Sequence, residues 1–274
     1  KFNQLQLLVL DEADRMLDLG FADELDQLFS ALPHKRQTLL FSATFSAPIR
    51  QMADGMLRDP LMIDISPRNS AIASVEQWLV PVDKKRKTEL FLQLLAERKW
   101  PQTLVFAKTR KAVELLLEAV QAHGVKADCI HGDRPQPSRL RALECFKSNE
   151  VSMLIATDVA ARGLDIPQLP LVINFDLPIN AEDYVHRIGR TGRAGASGEA
   201  ISLVSADEVR QLAAIETLTQ KLLERREQID FAPEHRVPET RVGGQLVKKP
   251  KKPKKPKTYG GKGKTHLGNW FDQS

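Results

Sequence analysis

Cysteine is scarce in this chain, long apolar runs are missing, and most of its length carries no positive surplus. Only Cys129 and Cys145 occur in 274 residues, and neither belongs to a C-x-x-C pair or stands beside two histidines. A disulfide framework and a zinc motif are therefore disfavoured. Reduced core thiols are expected, with a cytoplasmic location as the default. No stretch approaches the roughly 18–20 apolar residues of a membrane span, and the first residues show no charged-then-apolar signal segment. The formal charge of +5 suggests a basic protein until it is localised. Residues 241–274 hold ten Lys and Arg against one acidic residue, Asp272, leaving 30 basic and 34 acidic residues in 1–240, a net of −4. The basicity therefore belongs to the tail. With 42% hydrophobic residues the chain can bury a core, and its length has room for one to two domains.

What is present is an alternation of short apolar runs with helix-forming stretches. Leu5 to Leu10 and Thr38 to Phe41 have strand length, and Leu61 to Ile65 predicts a third strand. The polar breaker Ser66-Pro67-Arg68-Asn69-Ser70 marks a boundary, dividing residues 1–68 from 69–231. In the second unit, strands are expected near Gln77 to Val82, Thr103 to Ala107, Ala127 to His131, Met153 to Ala156, Leu171 to Phe175 and Ala200 to Val204. Thr109 can cap a helix whose Val113, Leu116, Leu117 and Val120 share a face and whose end Gly124 marks. Ser205 with Glu208 forms a capping box ahead of Val209, Leu212, Ile215 and Leu222 at helical spacing. Repeated strand-helix units imply an α/β fold with parallel sheets covered on both faces, and in such sheets ligands sit at the carboxyl ends of the strands. Asp11 to Asp14, Ser42-Ala43-Thr44, Thr157-Asp158 and the segment after Phe175 all fall at strand ends.

From about Pro233 the pattern stops, and residues 232–274 are expected to be a disordered basic tail. Lys248 to Lys257 reads KKPKKPKKPK, and proline every third residue with like charges between prevents a packed core. Such a run binds phosphates through counterion release, and Trp270-Phe271 could add base stacking, though a merely solubilising tail is the alternative. Gly261-Lys262-Gly263-Lys264-Thr265 ends like a phosphate loop, but the first glycine of G-x-x-x-x-G-K-[ST] falls on Thr258 and no apolar strand precedes it. The segment is assigned to the tail. His131-Gly132-Asp133 offers too few ligands for a metal site and is read as a turn.

Two clusters carry chemistry. Asp11-Glu12-Ala13-Asp14 ends the first apolar run, and His186-Arg187-Ile188-Gly189-Arg190-Thr191-Gly192-Arg193 follows far downstream. Phosphoryl transfer to water needs an acidic anchor for Mg²⁺, a second carboxylate to orient the water, and cations for the transition-state charge. Asp11 and Glu12 fit the first two tasks, and Arg190 and Arg193 the third, since guanidinium is always charged and forks onto two oxygens. Each cluster alone is more often a solvated acidic turn or a surface loop. Their place at predicted strand ends, with Ser42-Ala43-Thr44 ending the next strand, weighs against that.

The chain resembles the DEAD-box RNA helicases of superfamily two. DEAD at 11–14, SAT at 42–44, the strand leading to Thr109, Gln136-Pro137-Ser138-Arg139, Ala156 to Asp165 and HRIGRTGR at 186–193 occur in that family's order. The resemblance covers residues 1 to about 230, and the tail is only loosely like that of the bacterial RhlE-like group. It implies RecA-like sheets, a partial first domain followed by a complete second one, ATP and Mg²⁺ as cofactors, and RNA as partner. Asp11 would hold Mg²⁺ through water and Glu12 would be the catalytic base. Asp14, Ser42, Thr44 and His186 would couple the two domains, Gly163 and Asp165 would meet the ribose, and Arg190 and Arg193 would be arginine fingers. Thr109, Arg139, Thr157 and Asp158 would face the RNA backbone, giving sequence-independent binding. No phosphate loop precedes Asp11, so a truncated helicase that does not itself hydrolyse ATP is expected. The alternative is a non-catalytic RNA-binding module derived from a helicase. Residues 1–68 would supply too few strands to cover Leu7, Val9 and Leu40.

Overall fold

The computed structural model describes residues 2–42, 45–63, 75–161, 164, 166, 169–192, 198–241, 243 and 245–246. The first segment runs β1 (Leu7–Leu10), α1 (Ala13–Asp18), α2 (Ala22–Ser30), β2 (Gln37–Leu40) and α3 (Ala47–Met56). Its strands pair in parallel with Leu7 opposite Gln37 and Leu10 opposite Leu40. Leu10, Ala13, Leu25, Leu32, Ile49 and Ala53 are buried, whereas Leu7, Val9, Leu39 and Phe41 are 36–52% exposed. The uncovered positions include Leu7 and Val9, as expected, but Leu39 is exposed where Leu40 was expected, and Leu40 is half-buried. The strand predicted at Leu61 to Ile65 is not formed over its described part. Leu61, Met62 and Ile63 are unpaired to any strand and 67–84% exposed. An apolar run becomes a strand only where a neighbouring edge takes its hydrogen bonds.

The second unit is built from β3 (Val75–Pro81), α4 (Lys87–Arg98), β4 (Thr103–Phe106), α5 (Arg110–Ala122), β5 (Ala127–Ile130), α6 (Gln136–Lys147) and β6 (Met153–Ala156). It continues with α7 (Asp158–Ala161), β7 (Leu171–Asn174), α8 (Ala181–Ile188), β8 (Gly198–Val204), α9 (Val209–Thr219) and β9 (Glu224–Arg225). The sheet order is β5-β6-β4-β7-β8-β3-β9, with every pairing parallel. Side chains alternate faces along each strand. Val105, Cys129, Ile155, Ile173 and Ile201 meet Leu90, Phe91, Leu94 of α4 and Val113, Leu116, Leu117, Val120 of α5 on one side. Leu104, Phe106, Ile130, Leu154 and Val172 meet Ala142, Leu143 and Phe146 of α6 on the other, where α8 and α9 add Tyr184, Ile188, Leu212 and Ile215. Burying each such side chain is worth about 1.5–3 kcal/mol, so this two-sided core is the rigid frame of the molecule.

The caps follow the expected chemistry. Thr109 Oγ1 accepts the Ala112 N–H at 3.1 Å, and the Ser205–Glu208 capping box is complete. Gly124 ends α5 at φ 77°. Leu222 is a correction: Gln220 turns left-handed at φ 54° and ends the helix, leaving Leu222 43% exposed while Leu223 is buried. The chain also stays packed beyond 231, further than the composition shift suggests. Val237 is buried, Asp83 accepts the Glu234 and His235 N–H groups at 2.8 and 3.2 Å, and β10 (Thr240–Arg241) pairs antiparallel with β11 (Gln245–Leu246). The lysine run 248–257 lies outside the described residues.

Candidate nucleotide and RNA site

The acidic strand end is shaped by its backbone. Phe41 N–H donates to Leu10 O at 2.7 Å and Ala13 N–H to Phe41 O at 3.0 Å, so the 11–14 turn is tied to the strand end that carries Ser42. Glu12 is left-handed at φ 53°, ψ 46°, a conformation that costs a non-glycine residue and persists only where its surroundings impose it. Asp11 is exposed, its Oδ1 accepting the Glu12 N–H at 2.9 Å, and Asp14 is buried.

Two side-chain contacts join this turn to α8. His186 Nε2 lies 3.9 Å from Asp14 Oδ2, and Arg15 Nη1 lies 3.7 Å from Asp183 Oδ1. Asp183 and His186 stand three apart on α8 and so share a face. The turn that follows carries Arg190, whose Nη1 donates to Leu164 O at 3.1 Å and whose carbonyl accepts the Leu169 N–H at 2.9 Å. Asp14 and His186 are thus brought together, and Arg190 follows His186 by four residues. Thr44, Gly163, Asp165 and Arg193 lie outside the described residues.

At the carboxyl ends of β4 and β6 stand the remaining expected contacts. Thr109 is an exposed cap. Thr157 N–H donates to Ile130 O at 3.2 Å, and its carbonyl starts α7. Arg139 Nη2 reaches Ala160 O at 3.5 Å. Asp158 is held by Arg187, whose Nε and Nη2 fork onto its two oxygens at 2.6 and 2.8 Å.

Residues 86–195 match the family described as "Helicase conserved C-terminal domain" and residues 1–52 match "DEAD/DEAH box helicase". The DEAD-box ATP-dependent RNA helicase CshA of Geobacillus kaustophilus is 41% identical over 225 residues, 82% of this chain and 48% of that protein. The E. coli DEAD-box protein SrmB, solved bound to RraA, is 35% identical with a TM-score of 0.56, over 60% of this chain and 98% of that one. This chain belongs to the DEAD-box RNA helicase family. It spans about half the length of the curated helicases it matches. S. cerevisiae Dbp5 bound to RNA and ADP BeF3 matches with a TM-score of 0.75 at 30% identity, over 84% of this chain and 61% of Dbp5. A Dbp5 variant bound to a Gle1 variant and IP6 matches at 0.67 over the same 84% of this chain.

The helicase fold also uses residues that sequence reasoning missed. Arg187, 2% exposed, completes its set with Asn174 Oδ1 at 2.9 Å and Asp176 O at 2.7 Å, and stacks over Phe106 at 4.8 Å. It binds the α7 start, the β7 end and α8 into one body. Lys87, equally buried, donates to Phe175 O at 2.8 Å, Asp176 at 3.0 Å and Glu208 at 2.7 Å. Glu208 in turn accepts the Leu177 and Ser205 N–H groups at 2.9 Å. The signal for Lys87 was its spacing: Lys87, Leu90, Phe91 and Leu94 form one i, i+3, i+4, i+7 face. No comparable signal marked Arg187, which sits inside the motif as one arginine among three. Gly198 passes so close to the HRIGRTGR segment that a Cβ would fall 2.6 Å from Gly192 N.

Proposed function

We propose that this chain carries the acidic and arginine parts of the hydrolytic site of an ATP-dependent RNA helicase, which couples ATP hydrolysis to local RNA duplex separation. Alone, it holds RNA without turning over ATP. The observation that supports the proposal is the pair of contacts from Asp14 to His186 and from Arg15 to Asp183, which join the DEAD turn to the helix on which HRIGRTGR begins. The higher TM-score with RNA- and ADP BeF3-bound Dbp5 supports the same arrangement.

In this proposal Asp11, an exposed oxygen donor at a strand end, suits the hard-oxygen chemistry of Mg²⁺ and would hold it through water. Bound ATP with Mg²⁺ supplies the scissile phosphoanhydride. Glu12 orients and deprotonates the water, and Arg190 with Arg193 meets the charge that develops on the phosphoryl oxygens. Gly163 and Asp165 take the ribose, and Ser42 and Thr44 relay the state of the site to the RNA face. Thr109, Arg139 and Thr157 face the RNA backbone. Asp158, committed to Arg187, positions the α7 start beside them. The basic run Lys248 to Lys257 adds a salt-sensitive hold, and the setting is cytoplasmic.

The sequence contains no G-x-x-x-x-G-K-[ST] loop to cradle the β and γ phosphates. Steady-state ATP hydrolysis by this chain with saturating single-stranded RNA is therefore expected to equal the protein-free blank. RNA-stimulated turnover abolished by Glu12→Gln would contradict this. RNA binding indifferent to nucleotide and lost steeply with salt would favour a tail-driven RNA-binding module instead.

A further inference from the structure

We propose that Glu114, Cys129 and His131 form a site for a borderline-soft divalent cation, with Zn²⁺ the metal its sulfur, nitrogen and oxygen donors suit best. Cys129 and His131 stand two apart at the end of the extended β5, so both project to the face covered by α5, which carries Glu114. One donor atom from each lies within 4.8 Å of the other two. Glu114 Oε1 is 2.5 Å from His131 Nε2 and 3.9 Å from Cys129 Sγ. Donors around a tetrahedral zinc at about 2.0–2.3 Å stand roughly 3–4 Å apart, so small side-chain rotations close the set.

A second observation is independent of this spacing. His131 is 5% exposed, yet its Nδ1 has no hydrogen-bond partner among the described residues. A buried ring nitrogen without a partner is ordinarily costly, and a ligating histidine gives one nitrogen to the ion while the other takes a hydrogen bond from or to its surroundings. The nearby cation, Arg134, has Nε 3.9 Å from Glu114 Oε1. It is held by Asp128 at 2.6 Å and by the Cys129 carbonyl at 3.0 Å. With the thiol proton released to solvent, thiolate and carboxylate balance the two charges of the ion, leaving the occupied site neutral beside Arg134. The site is remote from the DEAD turn in sequence and lies at the β5 edge of the seven-stranded sheet. An ion there would staple α5, the helix that Thr109 caps, to that edge strand.

The test uses the whole chain with Co²⁺ as probe and Zn²⁺ as competitor. The expected result is one Co²⁺ per chain with a thiolate-to-cobalt charge-transfer band, displaced by Zn²⁺, lost in Cys129→Ser and kept in Cys145→Ser. His131→Gln and Glu114→Gln should weaken binding by roughly tenfold or more, since even outer-shell partners of a metal cost that much. Absence of the band at excess Co²⁺ in the unsubstituted chain, or its persistence in Cys129→Ser, would overturn the proposal. Circular dichroism of each variant separates loss of the site from loss of the fold.

Discussion

Arg15 Nη1 lies 3.7 Å from the Asp183 carboxylate, joining the residue after the DEAD turn to the residue three before His186. Both side chains are largely buried, at 16% and 10% exposure, so water screens the pair less than a surface bridge. Together with Asp14 and His186 it makes a two-point contact between the segments, and two points fix an orientation where one leaves a pivot.

Reversing one charge should loosen that contact. Arg15→Asp is expected to expose residues 2–56 to limited proteolysis, and Asp183→Arg to do the same. The Arg15→Asp, Asp183→Arg exchange should recover part of the protection, with a coupling of about 1–2 kcal/mol in a double-mutant cycle. Strict additivity of the two single variants would show that the pair does not act as a latch.

Lys87→Met should be among the most damaging single changes in the second unit. It leaves the carboxylates of Asp176 and Glu208 without their shared cation in a buried setting. Breaking such a set typically costs about 3–5 kcal/mol. Chemical denaturation should show a lower midpoint with an unchanged slope, whereas a midpoint equal to that of the unsubstituted chain would mean that the carboxylates find other partners.

Gly198→Ala tests how the arginine segment is held. The added methyl would overlap the Thr191 hydroxyl and approach the Gly192 backbone N at 2.6 Å, and the backbone cannot swing aside as a flexible side-chain end can. Overpacking of this kind costs typically about 1–3 kcal/mol, which melting curves would report. A neutral substitution would imply that the segment has room to move.

Cys129 should resist alkylation in the folded chain. Burial pushes its thiol up to about 12 from the model-compound value of 9.0, so the nucleophilic thiolate is suppressed. The sign of the stability effect follows: the contribution is complete below 9 and is lost as pH rises towards 12, because the unfolded chain gives up the proton first. Iodoacetamide with mass spectrometry at neutral pH, without added metal, should label Cys145 before Cys129, and equal rates would contradict the burial argument.

Much of the second unit was legible because its elements are determined locally. The strand at Met153–Ala156 and the faces of α5 follow from period alone, and the Thr109 cap and the Ser205–Glu208 box follow from hydroxyl and carboxylate placement. Where partners decide, the sequence was silent. Leu61 to Ile63 are as apolar as Leu171–Asn174, yet only the latter have neighbours on both sides in the sheet. The motif residues were visible as a pattern, but the work of Arg187 and Lys87 was not, since each gathers groups far apart in the chain. Long-range polar networks leave no period to read.

The most direct test joins a strand and G-x-x-x-x-G-K-[ST] loop from a DEAD-box helicase upstream of Lys1 and measures ATP turnover with and without RNA. The expected result is RNA-stimulated hydrolysis that falls to the blank in Glu12→Gln and in Arg190→Ala, while both variants still bind RNA. Turnover that survives either substitution in the folded chimera would show that these residues do not form the hydrolytic site.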